Sequence, residues 1–265
     1  MTDIPVVILC GGMGMRLKEE TEFRPKPMVE IGQHPILWHI MTSYASYGFE
    51  RFILCLGFRG DVIRDYFVNY HLRTCDTEVR LGAAPEVRLL NRHAVEQWRV
   101  TLAETGLQAQ TGARVKRIER YVDTDNFLLT YGDAVCDVNI ADLYDFHVAH
   151  GQIATVTGVR PPSRFGELDV NGDRVVSFAE KPVGGALING GFFVFNRRVF
   201  RYLSDDPSCV LEREPLEQLS REGHMRVRPH DGFWQCMDTM RDVEYLRHLV
   251  DRGHQPWIKG RVTCP

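Results

Sequence analysis

A chain of 265 residues, 44% hydrophobic and 25% charged, has an ordinary globular composition and enough length for one large core, which excludes disordered and fibrous classes. A formal net charge of −3 supplies no basic excess for a nucleic-acid partner. No stretch approaches the roughly 20 apolar residues that span a bilayer, and Met1-Thr-Asp-Ile-Pro lacks the basic start of a secretory signal; a cytoplasmic protein without a membrane partner is expected.

In chain order, Pro5 to Cys10 reads as a buried strand followed by a Gly11-Gly12-Met13-Gly14 turn. Residues 36–47 have helical spacing, with Leu37, Ile40, Met41 and Tyr44 on one side, and Gly48 ends the helix. Arg51 to Leu56 is a second strand and residues 61–70 a second helix. Phe127 to Tyr131 is an interior strand, followed by a helix from about Ile140 to His150. Further strands are expected at Gln152 to Val159, Arg174 to Ala179 and within Ala186 to Phe195, and further helices at 198–203, 211–222 and 239–252. Short strands separated by helices require crossovers and a largely parallel sheet. The expected fold is therefore α/β, a Rossmann-like, mostly parallel mixed sheet flanked by helices, in a single domain over residues 1–265. Residues 77–112 are less regular and read as a smaller β excursion from the main sheet.

Seven cysteines at 10, 55, 75, 136, 209, 236 and 264 contain no Cys-x-x-Cys pair and read as reduced thiols, not as a disulfide framework or zinc site. His147 and His150 precede Gly151 at a helix end, where packing and complementation of the helix dipole are the expected roles.

The strongest local signal is Leu9-Cys10-Gly11-Gly12-Met13-Gly14-Met15-Arg16 after the first strand. Glycines let the main chain turn tightly and approach a ligand, successive N–H groups form an anion nest, and Arg16 adds a phosphate-binding fork. The Walker pattern is absent, because Arg-Leu-Lys-Glu follows the last glycine, and the dinucleotide fingerprint fails at Leu17. Arg24-Pro25-Lys26-Pro27 then holds Lys26 in a stiff segment suited to neutralising a triphosphate. Asp133, ending an interior strand on the same sheet edge, is a natural Mg²⁺ ligand.

Gly11-Gly-Met-Gly-Met-Arg-Leu with Arg24-Pro-Lys-Pro-Met-Val-Glu-Ile-Gly resembles the signature of the sugar nucleotidyltransferases, the nucleoside-diphosphate-sugar pyrophosphorylases. The runs Pro35-Ile-Leu-Trp-His-Ile-Met, Thr130-Tyr-Gly-Asp, Arg164-Phe-Gly-Glu-Leu-Asp, Ile188-Asn-Gly-Gly-Phe-Phe-Val and Gly232-Phe-Trp-Gln-Cys-Met-Asp-Thr look like the branch that joins CTP to glucose 1-phosphate. The resemblance implies a Mg²⁺-assisted in-line displacement giving CDP-glucose and pyrophosphate, and a part in nucleotide-sugar and polysaccharide synthesis. Arg16, Lys26, Asp133, Lys181 and Asp238 are the implied catalytic set, with Asp133 and Asp238 holding the metal. Asp238, just before a helix, has helix N-capping as its alternative role. Residues 9–16 with Lys26, Thr111, Arg114 and Gly132 are implied on the nucleotide, Thr111 and Arg114 at the base. Gly166, Glu180, Lys181, Asn189 and Trp234 are implied on the sugar phosphate, Trp234 with a core role as its alternative.

The chain departs from the family pattern at Met15, where threonine is usual, at Ala134 and Cys136, and at Ala109, where a relative offers serine. These surround the nucleotide side, so UTP or dTTP, or another sugar phosphate, are the alternatives, with a non-catalytic binding module behind them. The family tends to form homo-oligomers.

Overall fold

The computed structural model describes residues 3–90, 96–160, 167–179 and 186–259. Its centre is a seven-stranded sheet of β1 (Pro5–Leu9), β2 (Arg51–Leu56), β3 (Arg99–Glu104), β4 (Asn126–Tyr131), β5 (Ala154–Val159), β6 (Ile188–Asn196) and β7 (Met225–His230). The spatial order is β7-β5-β6-β4-β1-β2-β3. β1 runs parallel to β2 and β4, β2 to β3 and β5 to β7, whereas β6 is antiparallel to both β4 and β5. The expected mixed, mostly parallel α/β sheet is what forms.

Alternation along the strands splits the core in two. Val6 and Ile8 join Phe52, Leu54, Leu128 and Phe192 on one face, while Val7 and Leu9 join Ile53, Phe127, Leu129 and Phe193 on the other. Helix Ile36–Ala45 covers the first face and buries every residue from Ile36 to Tyr44. Helix Met240–Asp251 packs Val243 and Leu246 against the same cluster. At ~1.5–3 kcal/mol for each fully buried large apolar side chain, these contacts supply the main driving force for the fold. No helix among the described residues is long and apolar enough to cross a membrane.

The stretch 77–112 does not leave the sheet throughout. Thr77–Arg80 and Glu86–Leu89 form a separate hairpin, but Arg99–Glu104 is the edge strand β3. Its polar alternation on a half-covered edge hid it from an apolar-run reading. Arg174–Ala179 is a strand as expected, but it pairs with Glu167–Asn171 in a hairpin outside the main sheet.

Asn139 caps helix Ile140–His150 by accepting from the N–H groups of Ala141 and Asp142, and Gly151 ends the helix at φ 64°, a left-handed conformation that favours glycine. The two histidines there do not complement the helix dipole by charge. His147 Nδ1 and His150 Nε2 lie 2.8 and 2.7 Å from the one Thr155 hydroxyl, and burial pushes the His147 pKa down to about 4. His39 is likewise pushed down to about 4 by burial. Its Nε2–H donates to the Ile31 carbonyl at 2.8 Å and Nδ1 accepts from the Trp257 indole at 3.4 Å, so a second ring proton would face another donor.

Both rings are neutral when folded and free to protonate near pH 6.5 when unfolded. Stability from this source is therefore complete above about pH 6.5 and lost as pH falls toward 4. Urea unfolding at about pH 5 is expected to show a loss of about 2 kcal/mol per histidine relative to neutral pH, and His147→Gln is expected to make that pH dependence shallower.

Candidate active site

The carboxyl ends of β1, β2 and β4 lie side by side because the three strands are parallel, and the loops that follow them meet on one sheet edge. Leu9 is in register with Tyr131, and the Gly132 N–H donates to the Leu9 carbonyl at 3.1 Å. A cleft of about 380 Å³ opens there, in the crevice where open α/β sheets bind ligands. It is lined by Leu9, Cys10, Gly11, Gly12, Met13, Gly14, Arg16, Lys26, Thr111, Arg114, Gly132 and Asp133. The expected nucleotide-side residues thus converge on one cavity, apart from Met15, whose side chain is not among those described.

The loop is built from three different uses of glycine. Gly14 has φ 62°, in the left-handed region. A Cβ on Gly11 would stand 2.1 Å from the Arg114 guanidinium, so this glycine makes room for a buried side chain. Gly12 has nothing within 4 Å on its Cβ side and leaves that space to a ligand. Among the described residues the N–H groups of Gly12 and Met13 have no hydrogen-bond partner, which leaves them available to an anion.

Arg114 does something the sequence does not disclose. Its side chain is buried, and Nη1 donates to the Leu56 carbonyl, the Thr105 hydroxyl and the Gly106 carbonyl at 2.8–2.9 Å. Nη2 donates to the Gly11 carbonyl at 2.9 Å. The guanidinium therefore ties the glycine loop to the ends of β2 and β3. Thr111 is similarly committed: its hydroxyl donates to Glu212 at 2.6 Å and accepts from the Leu211 N–H at 2.9 Å.

The charged centre lies beside the loop. Lys26 Nζ donates to Asp133 Oδ2 and to Asp238 Oδ1, both at 2.7 Å, and Arg16 Nη1 donates to Asp238 Oδ2 at 2.8 Å. Burial alone would lower the Lys26 pKa, but the two carboxylates overcome it and hold the ammonium above the usual lysine value. Burial would raise the Asp238 carboxyl, and the Lys26 hydrogen bond and the charges of Lys26 and Arg16 hold it below the usual range. Arg16 is 79% exposed and free to follow a ligand, whereas Lys26 is only 12% exposed.

Asp238 reaches Asp133 by a short ribbon. Trp234–Cys236 pairs antiparallel with Ala134–Cys136, and the Met237 N–H donates to the Asp133 carbonyl at 2.8 Å. Asp238 is not the helix cap. Thr239 caps Met240–Asp251 in a reciprocal box with Asp242, whose carboxylate also accepts the Asp238 N–H at 3.0 Å. The cap holds the backbone of Asp238 and leaves its carboxylate for Lys26 and Arg16.

Lys26 Nζ lies between the Asp133 and Asp238 carboxylates, and these two hard donors, within 4.8 Å of one another, would fit a divalent cation such as Mg²⁺ once the ammonium turns from them to a phosphate. The Cys236 thiol lies within 4.8 Å of both, but burial and the adjacent carboxylates push its pKa up, so it offers no thiolate.

Trp234, expected on the sugar phosphate, is half-buried, and its Nε1 donates at 2.8 Å to the carbonyl of Gly190, the residue after Asn189. Gly166, Glu180 and Lys181 lie outside the described residues. Tyr131 and Glu212, which the sequence reading did not single out, also meet at this site: Tyr131 lines the cleft, and its hydroxyl donates to Glu212. Tyr131 could have been found from its place before Gly132-Asp133; Glu212 carries no motif.

The family model for nucleotidyl transferases matches residues 5–235. The chain belongs to this family. Within it, the chain is 50% identical over 254 residues to the glucose-1-phosphate cytidylyltransferases of Salmonella typhimurium (strain LT2) and Salmonella typhi, covering 95% of this chain and 97% of each relative. The crystal structure of HddC from Yersinia pseudotuberculosis matches with a TM-score of 0.67 at 22% identity, over 93% of this chain and 99% of that one, a likeness of fold.

The arrangement makes Arg114 the support of this nucleotidyl transferase's glycine loop. Arg114→Lys keeps the charge but cannot serve four separate acceptors; the Leu56 and Gly11 carbonyls keep other donors, and a part-buried Gly106 carbonyl left unpaired costs ~1–3 kcal/mol. Thermal unfolding is expected to drop by several degrees, together with weakened nucleotide binding in calorimetry; unchanged stability would refute the support role.

Proposed function

We propose that this chain transfers the cytidylyl group of CTP to α-D-glucose 1-phosphate, forming CDP-glucose and releasing pyrophosphate. The carrying observation is the convergence of Lys26 and Arg16 with Asp133 and Asp238 beside a loop of free N–H groups. The choice of CTP and glucose 1-phosphate is supported by the 50% identity, over nearly the full chain, to enzymes named for that reaction.

The reaction brings two anions together. A phosphate oxygen of the sugar 1-phosphate attacks the α-phosphorus, and the bond to the pyrophosphate oxygen breaks in line. The nucleophile is already anionic near neutral pH, so neither a general base nor a covalent enzyme intermediate is needed. What remains for the protein is positioning and charge neutralisation. The Gly12 and Met13 N–H groups receive phosphate oxygens, Arg16 closes on the triphosphate from solvent, and Lys26, held protonated, faces the leaving pyrophosphate. Asp133 and Asp238 are the residues that would hold Mg²⁺, which when bound supplies charge neutralisation and Lewis-acid polarisation of the phosphates. Glu180, Lys181, Asn189 and Trp234 are assigned to the sugar phosphate, and Gly166 to close backbone approach. We assign the reaction to the cytoplasm, to a homo-oligomer, and to nucleotide-sugar supply for polysaccharide synthesis.

A second reading keeps the chemistry and changes the base to uracil or thymine, because Ala109 lines the cleft where a relative offers serine. Pyrophosphate release with Mg²⁺ and glucose 1-phosphate separates the two. CTP is expected to be turned over well ahead of UTP, dTTP, ATP and GTP, with turnover abolished in Asp133→Ala. Preference for UTP or dTTP would overturn the base assignment and leave the mechanism. Lys26→Met is expected to lower kcat by ~10²–10³, the cost of losing one preorganised charge donor.

A further inference from the structure

We propose that Glu212 is a positioning residue that orients the sugar-side amide of Asn189 through Tyr131, anchored from the nucleotide side by Thr111. The proposal rests on the cytidylyl-transfer reading and deepens it.

The chain of contacts has one direction. An ionised carboxylate only accepts hydrogen bonds. Glu212 Oε2 accepts from the Thr111 hydroxyl at 2.6 Å, and Oε1 accepts from the Tyr131 hydroxyl. Each hydroxyl has one proton, and both are spent on Glu212. The Tyr131 oxygen is therefore an acceptor toward its other neighbour, Asn189 Nδ2, at 3.3 Å. The Asn189 side-chain oxygen is occupied by the Gly191 N–H at 2.8 Å. These contacts assign the amide: oxygen toward the β6 backbone, nitrogen toward Tyr131, and a second N–H that no described residue accepts.

The placement joins the two halves of the site. Thr111 and Tyr131 both line the cleft, and Tyr131 is followed directly by Gly132 and Asp133. Thr111 opens the helix Thr111–Arg117 that carries Arg114, the residue holding Gly11. Glu212 lies far from both in sequence, 101 residues from Thr111 and 81 from Tyr131. Burial and the facing Glu212 carboxylate push the Tyr131 pKa up, so its proton stays on the phenol and the direction of the chain is kept.

Glu212→Gln keeps the shape but replaces one acceptor with an NH₂ donor, so one of the two hydroxyls loses its partner or reverses. The expected result is a KM for glucose 1-phosphate raised by about tenfold, with CTP affinity by calorimetry and the thermal midpoint little changed. Tyr131→Phe breaks the same chain while keeping the ring and is expected to show the same split, which covers the case in which Glu212→Gln does not fold. Thr111→Val, although on the nucleotide side, is expected to raise the sugar-phosphate KM, and to have no further effect in the Glu212→Gln background. A sugar-phosphate KM within twofold of wild type in both Glu212→Gln and Tyr131→Phe overturns the proposal. So does a parallel loss of affinity for both substrates with a lowered thermal midpoint, the signature of a purely structural tie. Wild-type protein that releases no pyrophosphate from CTP and glucose 1-phosphate would instead overturn the underlying reaction, and the proposal with it.

Discussion

Lys26 places one ammonium against two carboxylates that arrive from 107 and 212 residues further along the chain. Two carboxylates 2.7 Å from a common point would repel in a half-buried site, and a lone lysine there would be driven toward neutrality by burial. Together, the carboxylates hold the ammonium above the usual lysine value, and Lys26 with Arg16 holds the Asp238 carboxyl below its usual range. With Arg16 on Asp238, the cluster holds two positive and two negative side chains and no net formal charge. The stiff Pro25-Lys26-Pro27 segment, the parallel β1 and β4, and the ribbon from Asp133 to Cys236 all serve to bring these atoms together.

The surrounding scaffold is arranged to keep this centre fixed while leaving one side open. Arg114 fastens the glycine loop, the box of Thr239 and Asp242 holds the backbone of Asp238, and Gly132 lets the end of β4 pass against Leu9 and Pro27. Arg16 and Gly12 remain open to the cleft. The division is between residues whose hydrogen bonds are spent on the protein and those whose bonds remain for a ligand, and it follows from counting donors and acceptors.

The parts legible in the sequence were those set by local chemistry. The glycine loop after an apolar strand, the proline-flanked Lys26 and the strand-ending Asp133 each carry their reason within a few neighbouring residues. Asp238 was ambiguous between cap and ligand until Thr239 was seen to take the cap. Arg114 was expected at the base, and its commitment to the Leu56, Gly106 and Gly11 carbonyls depends on three loops meeting, which no local pattern encodes. Glu212 had no motif at all, because its partners are 81 and 101 residues away. The strand pattern of Arg174–Ala179 was readable, but not which sheet it joins: Val176 and Phe178 stay exposed in a separate hairpin.

The central claim is that the Lys26, Asp133 and Asp238 cluster exists to receive a nucleotide together with a divalent cation. Calorimetric binding of CTP with and without Mg²⁺, in wild type and in Asp133→Asn, tests it most directly. Mg²⁺ is expected to tighten CTP binding by about tenfold or more in wild type, an effect of ~1.4 kcal/mol, and to give no such gain in Asp133→Asn. Equal CTP affinity in the presence and absence of Mg²⁺ in the wild-type protein would contradict the account.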